Sequence, residues 1–143
     1  MYKSILIATD GSKLSFKAVV HGLELAKALA ASVTFVSVTP PNYAGMIGGP
    51  IIGMHGLDEQ AAVLAINHLK SVAREAETVG VVHDTVHVTD RLPYEGILET
   101  ATAKDCDLIV MASHGWRGFA ALLLGSEAQK VLTHSTIPVL IHR

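Results

Sequence analysis

At 143 residues the chain has the length of one domain and can bury most of the apolar surface its unfolded form exposes, so a single domain over residues 1–143 is expected. Eleven Lys and Arg against 13 Asp and Glu leave a net charge of -2. No basic block marks a nucleic-acid or membrane-surface footprint, and neither partner is expected. Cys106 is the sole cysteine, which excludes an internal disulfide or cysteine-pair metal site and fits a reducing compartment.

After Lys3 the apolar run before Asp10 is only Ile5, Leu6, Ile7 and Ala8, far short of a secretion signal's apolar region, and a cytoplasmic location is expected. Ile5–Thr9 reads as the first strand, ending at the turn pair Asp10-Gly11. Phe16, Val19, Val20, Leu23 and Ala26 then recur at helical spacing. The second strand is Val33–Val38. Around it, Ala28 to Leu57 carry no charged residue, but Ser, Thr, Asn, three prolines and repeated glycines interrupt the stretch, so it reads as strand plus loop rather than a membrane span. The segment Pro40 to Gly56 is too long and apolar for a tight turn, and serves either as a lid or as a partner contact.

A second helical stripe, Ala61, Leu64, Ala65, Leu69, Val72 and Ala76, stops at Gly80. Val81–Val88 forms the third strand. Pro93 suits the start of a third helix that turns Tyr94, Ile97, Leu98 and Ala101 inward. Leu108–Ser113 is the fourth strand, with Cys106 packed just before it. Ser126 and Gln129 have the spacing of a capping box opening a short last helix, with Ala128, Val131 and Leu132 inward, which stops before Pro138. Val139–His142 is the fifth strand. Strictly alternating strands and helices, with uniformly apolar strands, predict a doubly wound, Rossmann-like α/β fold. Its five-stranded parallel sheet, in the order 3-2-1-4-5, is expected to carry helices on both faces.

Ligands of such sheets sit beyond the carboxyl ends of the strands, where strand order reverses. The run MASHGWRGFAALLLGS, Met111 to Ser126, begins in the fourth strand and passes Gly115, Gly118 and Gly125 before the last helix. Glycines let a backbone approach an anion closely, and a helix N-terminus presents N–H groups with a favourable dipole, so the run reads as a phosphate loop. A loop that merely turns the chain is the competing reading. With strands one and four adjacent, the nucleotide pocket is assigned to Thr9, Asp10, Val38, Met111, Ala112, Ser113, His114, Gly115, Gly118, Gly125 and Ser126.

The opening YKSILIATDGS, the strand DLIVMASHG, the GS-opened last helix and the ending IPVLIHR together resemble the universal stress protein family over the whole chain, in its ATP-binding branch. That branch carries glycine, two residues, glycine, nine residues, glycine, then Ser or Thr. Here Gly115, Gly125 and Ser126 match, while Ala112 stands at the first glycine. A methyl there crowds an approaching ribose or phosphate and disfavours positive φ if that is required. The resemblance implies ATP, with Mg²⁺ or Mn²⁺, as ligand. It puts Asp10 near the adenine and ribose or on the metal, and the Val38 backbone on the base. Gly115, Gly125 and Ser126 then donate N–H groups to the phosphates, and Ser126 its hydroxyl as well. It also implies a homodimer, for which Val139–His142 supplies an unpaired edge if it lies outermost.

Three functions remain: an ATP-binding stress-response and signalling module, a dimeric interaction module without nucleotide, favoured by Ala112, and at most a slow ATPase. Phosphoryl transfer requires a placed cation, metal ligands and a water-orienting group, for which only Asp10 and Arg117 are available. A phosphorylatable receiver is set aside, because Asp10 has no acidic neighbour and the last strand ends His142-Arg143 rather than on lysine. His114 has no orienting partner in the sequence. His83 and His87 fall in one strand, too far apart for one metal, and His21, His55, His68, His134 and His142 lack ligand spacing, so no zinc site is expected. Trp116 and Phe119 either cover the pocket, contact a partner or pack on a neighbouring apolar surface.

Overall fold

Short runs of β-branched and aliphatic residues alternate with amphipathic segments, and the computed structural model, which describes residues 1–41, 54–115 and 124–143, shows the result. The elements are β1 (Ser4–Ala8), α1 (Lys13–Leu29), β2 (Ser32–Thr39), α2 (Met54–Val79), β3 (His83–Thr89), α3 (Pro93–Ala103), β4 (Leu108–Ala112), α4 (Ser126–His134) and β5 (Val139–His142). The strands form one parallel sheet in the order β3-β2-β1-β4-β5, the expected architecture. No helix among the described residues is long and apolar enough to cross a membrane.

Burial on both sides explains the apolar strands. Ile5, Leu6 and Ile7 of β1 are each 0% exposed. Ile5 and Ile7 join Val33, Phe35 and Val110 in a core under α1 and α2. Leu6 and Ala8 join Val36, Ile109 and Met111 in a second core under α3 and α4. Cys106 is buried in that second core, and burial pushes its thiol pKa up, so it is packing rather than a reactive thiol.

Helix ends follow local chemistry. Ser12 caps α1 by accepting from the Ser15 amide. Gly80, at φ 78, ends α2 in a conformation that a Cβ disfavours. Pro93 occupies the first turn of α3, where its missing N–H costs nothing.

The predicted helical stripes face inward at Val19, Leu23, Ala26, Leu69, Val72, Ala76, Ile97, Ala101, Ala128 and Val131, and single positions depart from them. Phe16, Leu64 and Leu132 are exposed, and Ala18 replaces Phe16 among the residues α1 buries. In α1 the helix lies close to the sheet. A Cβ on Gly22 would lie 2.6 Å from Ile7 Cδ1, so the contact face of α1 admits only small residues there. Gly96 plays the same part in α3, where a Cβ would lie 2.6 Å from Val38 Cγ2 and 3.3 Å from Val88 Cγ1.

Under α2 the sheet turns polar at its carboxyl end. Thr9, Ser15, Ser37 and Thr39 are all buried. Thr9 Oγ1 lies 2.5 Å from His68 Nε2 and 3.2 Å from Ser15 Oγ, and Thr39 Oγ1 lies 2.8 Å from His87 Nε2. Each hydroxyl thereby satisfies an imidazole that burial desolvates. Burial pushes the pKa of His68 below 6.5, with Asp10 opposing, and does the same to His87.

Gly96→Ala should lower stability, because overpacking against a β-branched neighbour costs about 1–3 kcal/mol and the helix-propensity gain is only about 1 kcal/mol. In a Val38→Ala background, which makes room for the methyl, denaturant unfolding should show the same substitution to be neutral or stabilising. The depressed histidines give a second expectation. Between the ordinary value of 6.5 and the lower folded values, the unfolded chain binds more protons than the folded one, so stability falls as pH drops. Unfolding measured from pH 8 to pH 5 should show a smaller loss for the His68→Gln, His87→Gln double variant than for the parent chain.

Candidate functional site

The central strand ends early, and this opens the site. After Ala8, the Thr9 amide still donates to Val36 O at 3.0 Å, and then Gly11, at φ 83, turns the chain into α1. Asp10 Oδ1 accepts from the Ser12 amide at 2.9 Å, an Asx turn that fixes the exposed carboxylate beyond the strand end. On the neighbouring strand, Ser113 follows β4 and donates its amide to His142 O at 2.8 Å. Its hydroxyl lies 2.9 Å from His114 Nδ1, the orienting partner for His114 that spacing did not supply.

The two chain ends approach through glycines. A Cβ on Gly115 would collide with Asp10 Oδ2, so the backbone at Gly115 lies directly against that carboxylate. The Gly125 amide donates to Ser113 O at 2.7 Å, and a Cβ there would lie 2.7 Å from that oxygen and 3.3 Å from His114 Cα. A larger residue at Gly115 would push the turn away from Asp10, and one at Gly125 would push the start of α4 away from the end of β4.

Gly125, not Ser126, is the N-cap of α4, and it makes no side-chain cap bond. The expected capping box is therefore absent: Gln129 Nε2 donates to Leu124 O at 2.8 Å, and Ser126 sits inside the first turn. The start of α4 is tied to that of α3 by Glu127, whose Oε2 accepts from the Tyr94 amide at 3.0 Å. Since α1 packs on one face of the sheet and α4 on the other, the crevice between β1 and β4 is the point where strand order reverses. The positive ends of two helix dipoles, α1 and α4, open beside it.

Thr9, Asp10, Ser113, His114, Gly115, Gly125 and Ser126 thus come together at one end of the sheet. Val38 is different. Its side chain packs against Gly96, while alternation along β2 turns its N–H and C=O to the same side as Val36, toward the end of β1. Met111 and Ala112 are buried side chains on opposite faces of β4, so Met111 is core. Ala112 belongs to the cluster of Ile7 and Val110, and it is not among the positive-φ residues of the described chain, which are Ala30, Asp90 and Asp105 apart from glycines. An alanine there meets no backbone strain. Gly118, Trp116, Arg117 and Phe119, and all but the ends of the Pro40 to Gly56 segment, lie outside the described residues.

Spacing gave no sign of His68. It reaches Thr9 from α2 across 59 positions. No group of three or more His, Cys, Asp or Glu among the described residues forms a metal cage. Asp10 is a single carboxylate, a donor that suits Mg²⁺ or Mn²⁺ only with water and phosphate oxygens completing the shell.

A model of the universal stress protein family matches residues 1–143. The universal stress protein MJ0531 of Methanocaldococcus jannaschii is 35% identical over 142 residues, spanning 99% of this chain and 82% of the relative. The solved structure of MJ0577, from the same organism, superposes with a TM-score of 0.84 at 28% identity, covering 99% of this chain and 96% of the other. Two more distant structures share the fold and hold adenine nucleotides. One is a universal stress protein from Archaeoglobus fulgidus in complex with dAMP, at 18% identity and a TM-score of 0.73, covering 99% and 98% of the two chains. The other is a universal stress protein in complex with cAMP, at 24% and 0.69, covering 98% and 95%. Matched along its whole length by the family model and by a relative above 30% identity, the chain belongs to the universal stress protein family.

Proposed function

We propose that the crevice between β1 and β4 binds ATP and that the protein is a nucleotide-binding stress-response and signalling module of the cytoplasm. The observation that carries this reading is the contact of the Gly115 backbone with the Asp10 carboxylate, at the one place where strand order reverses and α4 begins. The backbone amides of Gly115, Gly125 and Ser126, with the Ser126 hydroxyl, donate to the phosphates. The main chain of Val38 serves the adenine. Adenine nucleotides bound by the dAMP and cAMP complexes of the family support the ligand class, and the extended backbone of Ala112 removes one objection to it.

Asp10 repels a phosphate unless a cation lies between them. In this reading it binds Mg²⁺ or Mn²⁺ that also contacts the phosphates, or the ribose hydroxyls. Rapid hydrolysis is not part of the function, because Asp10 and Arg117 are the only groups the sequence offers to phosphoryl transfer. The protein acts instead by presenting a nucleotide-dependent surface to a partner.

A homodimer forms through β5, an outer strand of the sheet. Pro138 and His142 turn their carbonyls to β4, so by alternation Val139 and Ile141 direct their N–H and C=O outward, available to a second copy across a two-fold axis.

Calorimetric titration of nucleotide-free protein should give saturable single-site binding of ATP with Mg²⁺, weaker for AMP. Gly115→Ala, which forces the turn off Asp10, should weaken ATP at least about tenfold while unfolding remains cooperative. Asp10→Asn should remove the dependence on Mg²⁺. Absence of heat at millimolar ATP contradicts the nucleotide reading and leaves a dimeric interaction module. Light scattering should report a dimer for the parent chain and a monomer for Ile141→Pro, which deletes an outward donor at the edge; a monomeric parent chain contradicts the β5 interface.

A further inference from the structure

His21 and His142 stand 121 positions apart, with no spacing that relates them, yet the fold brings their rings together where α1 passes over β5. Both backbones are held by their neighbours. His21 precedes Gly22, which seats α1 on Ile7 and Val110. His142 pairs with Ala112 in the sheet, and its carbonyl accepts the Ser113 amide. The two Nδ1 atoms are 3.2 Å apart, with ring centroids separated by 4.3 Å and planes crossing at 82°.

Two imidazole nitrogens that face each other share one proton, because one must donate and the other accept. The same separation is that of two ligands on one ion. With metal–nitrogen distances of about 2.0–2.1 Å, a tetrahedral ion holds its ligand nitrogens about 3.3–3.4 Å apart. The rings now stand edge to face with centroids 4.3 Å apart, so replacing the shared proton by a metal requires them to swing apart by about 1 Å until both Nδ1 lone pairs converge on the ion. His21 is exposed and His142 half-buried, so an ion reaches the gap from solvent.

We propose that His21 and His142 form a metal site for a borderline divalent ion, Zn²⁺ or Ni²⁺, bound through both Nδ1 atoms with water completing its coordination. Imidazole selects this class of ion over Mg²⁺ or Ca²⁺, which prefer oxygen. Burial, then His21, then Lys17 push the pKa of His142 down. The positive charge of Lys17 opposes a cation in the gap and limits affinity. With two protein ligands the ion is exchangeable rather than structural, and it clips α1 to β5. The site is separate from Asp10 and does not depend on nucleotide binding.

The test uses the full, nucleotide-free chain titrated with ZnCl₂, read by calorimetry, by thermal unfolding and by NMR of the imidazole rings. The expected result is saturable binding, a rise in Tm and ring shifts at His21 and His142, with no response to MgCl₂. His21→Gln and His142→Gln, both at surface-accessible positions, should each weaken Zn²⁺ at least about tenfold. His134→Gln should leave binding unchanged, and Lys17→Gln should tighten it. Zn²⁺ affinity that is the same in the parent chain and in both His21→Gln and His142→Gln, or rings that do not shift at saturation, would overturn the site. An Asp10→Asn variant that retains the Zn²⁺ response keeps this outcome distinct from that of the nucleotide crevice.

Discussion

Complete burial of the central strand is the constraint from which the rest of the structure follows. With Ile5, Leu6 and Ile7 excluded from water on both faces, helices must cover each side of the sheet, and only a parallel, doubly wound arrangement does so with short connections. Chain direction then divides around β1: β2 and β3 lie on one side, β4 and β5 on the other. The reversal leaves an opening above β1 and β4. The crevice is thus a consequence of the packing, and local chemistry determines what it can hold.

That chemistry combines a fixed negative charge with positive helix ends. Asp10 is locked by the Ser12 amide, and the glycine backbone at Gly115 lies against it. Two helix N-termini open toward the same space. An anion alone is repelled by the carboxylate, and a cation alone is repelled by the dipoles, whereas a phosphate chain carrying a divalent ion satisfies both. This complementarity is what supports the proposed reading of the crevice as a site for nucleotide with metal. The polar layer of Thr9, Ser15 and His68 links the same strand end to α2, so α2 is mechanically joined to the site.

Much of the fold was legible because it is encoded locally. Apolar runs bounded by Asp10-Gly11, Gly80 and Pro93 mark strands and helix ends within a few residues of where they lie. Facing directions were harder. Phe16, Leu64 and Leu132 sit at helical spacing but are exposed, and for α1 the contact face is set by how close Gly22 lets the helix come to Ile7. Ser126 resembles a cap by spacing, yet Gly125 takes that position because the turn must pass within 2.7 Å of Ser113 O. The glycines of the crevice could be picked out from their pattern, but His68 could not, and neither could the meeting of His21 with His142. Those contacts join elements 59 and 121 positions apart, and nothing in residue spacing records a distance across a sheet.

The most direct test of the central claim is two-dimensional amide NMR of the nucleotide-stripped protein before and after ATP with Mg²⁺. The account predicts that the largest shifts fall on Asp10, Val38, Gly115, Gly125 and Ser126, contributed by the ends of β1, β2 and β4 and by the start of α4, and that they saturate together. Shifts confined to other parts of the chain, or none at millimolar nucleotide, would contradict it.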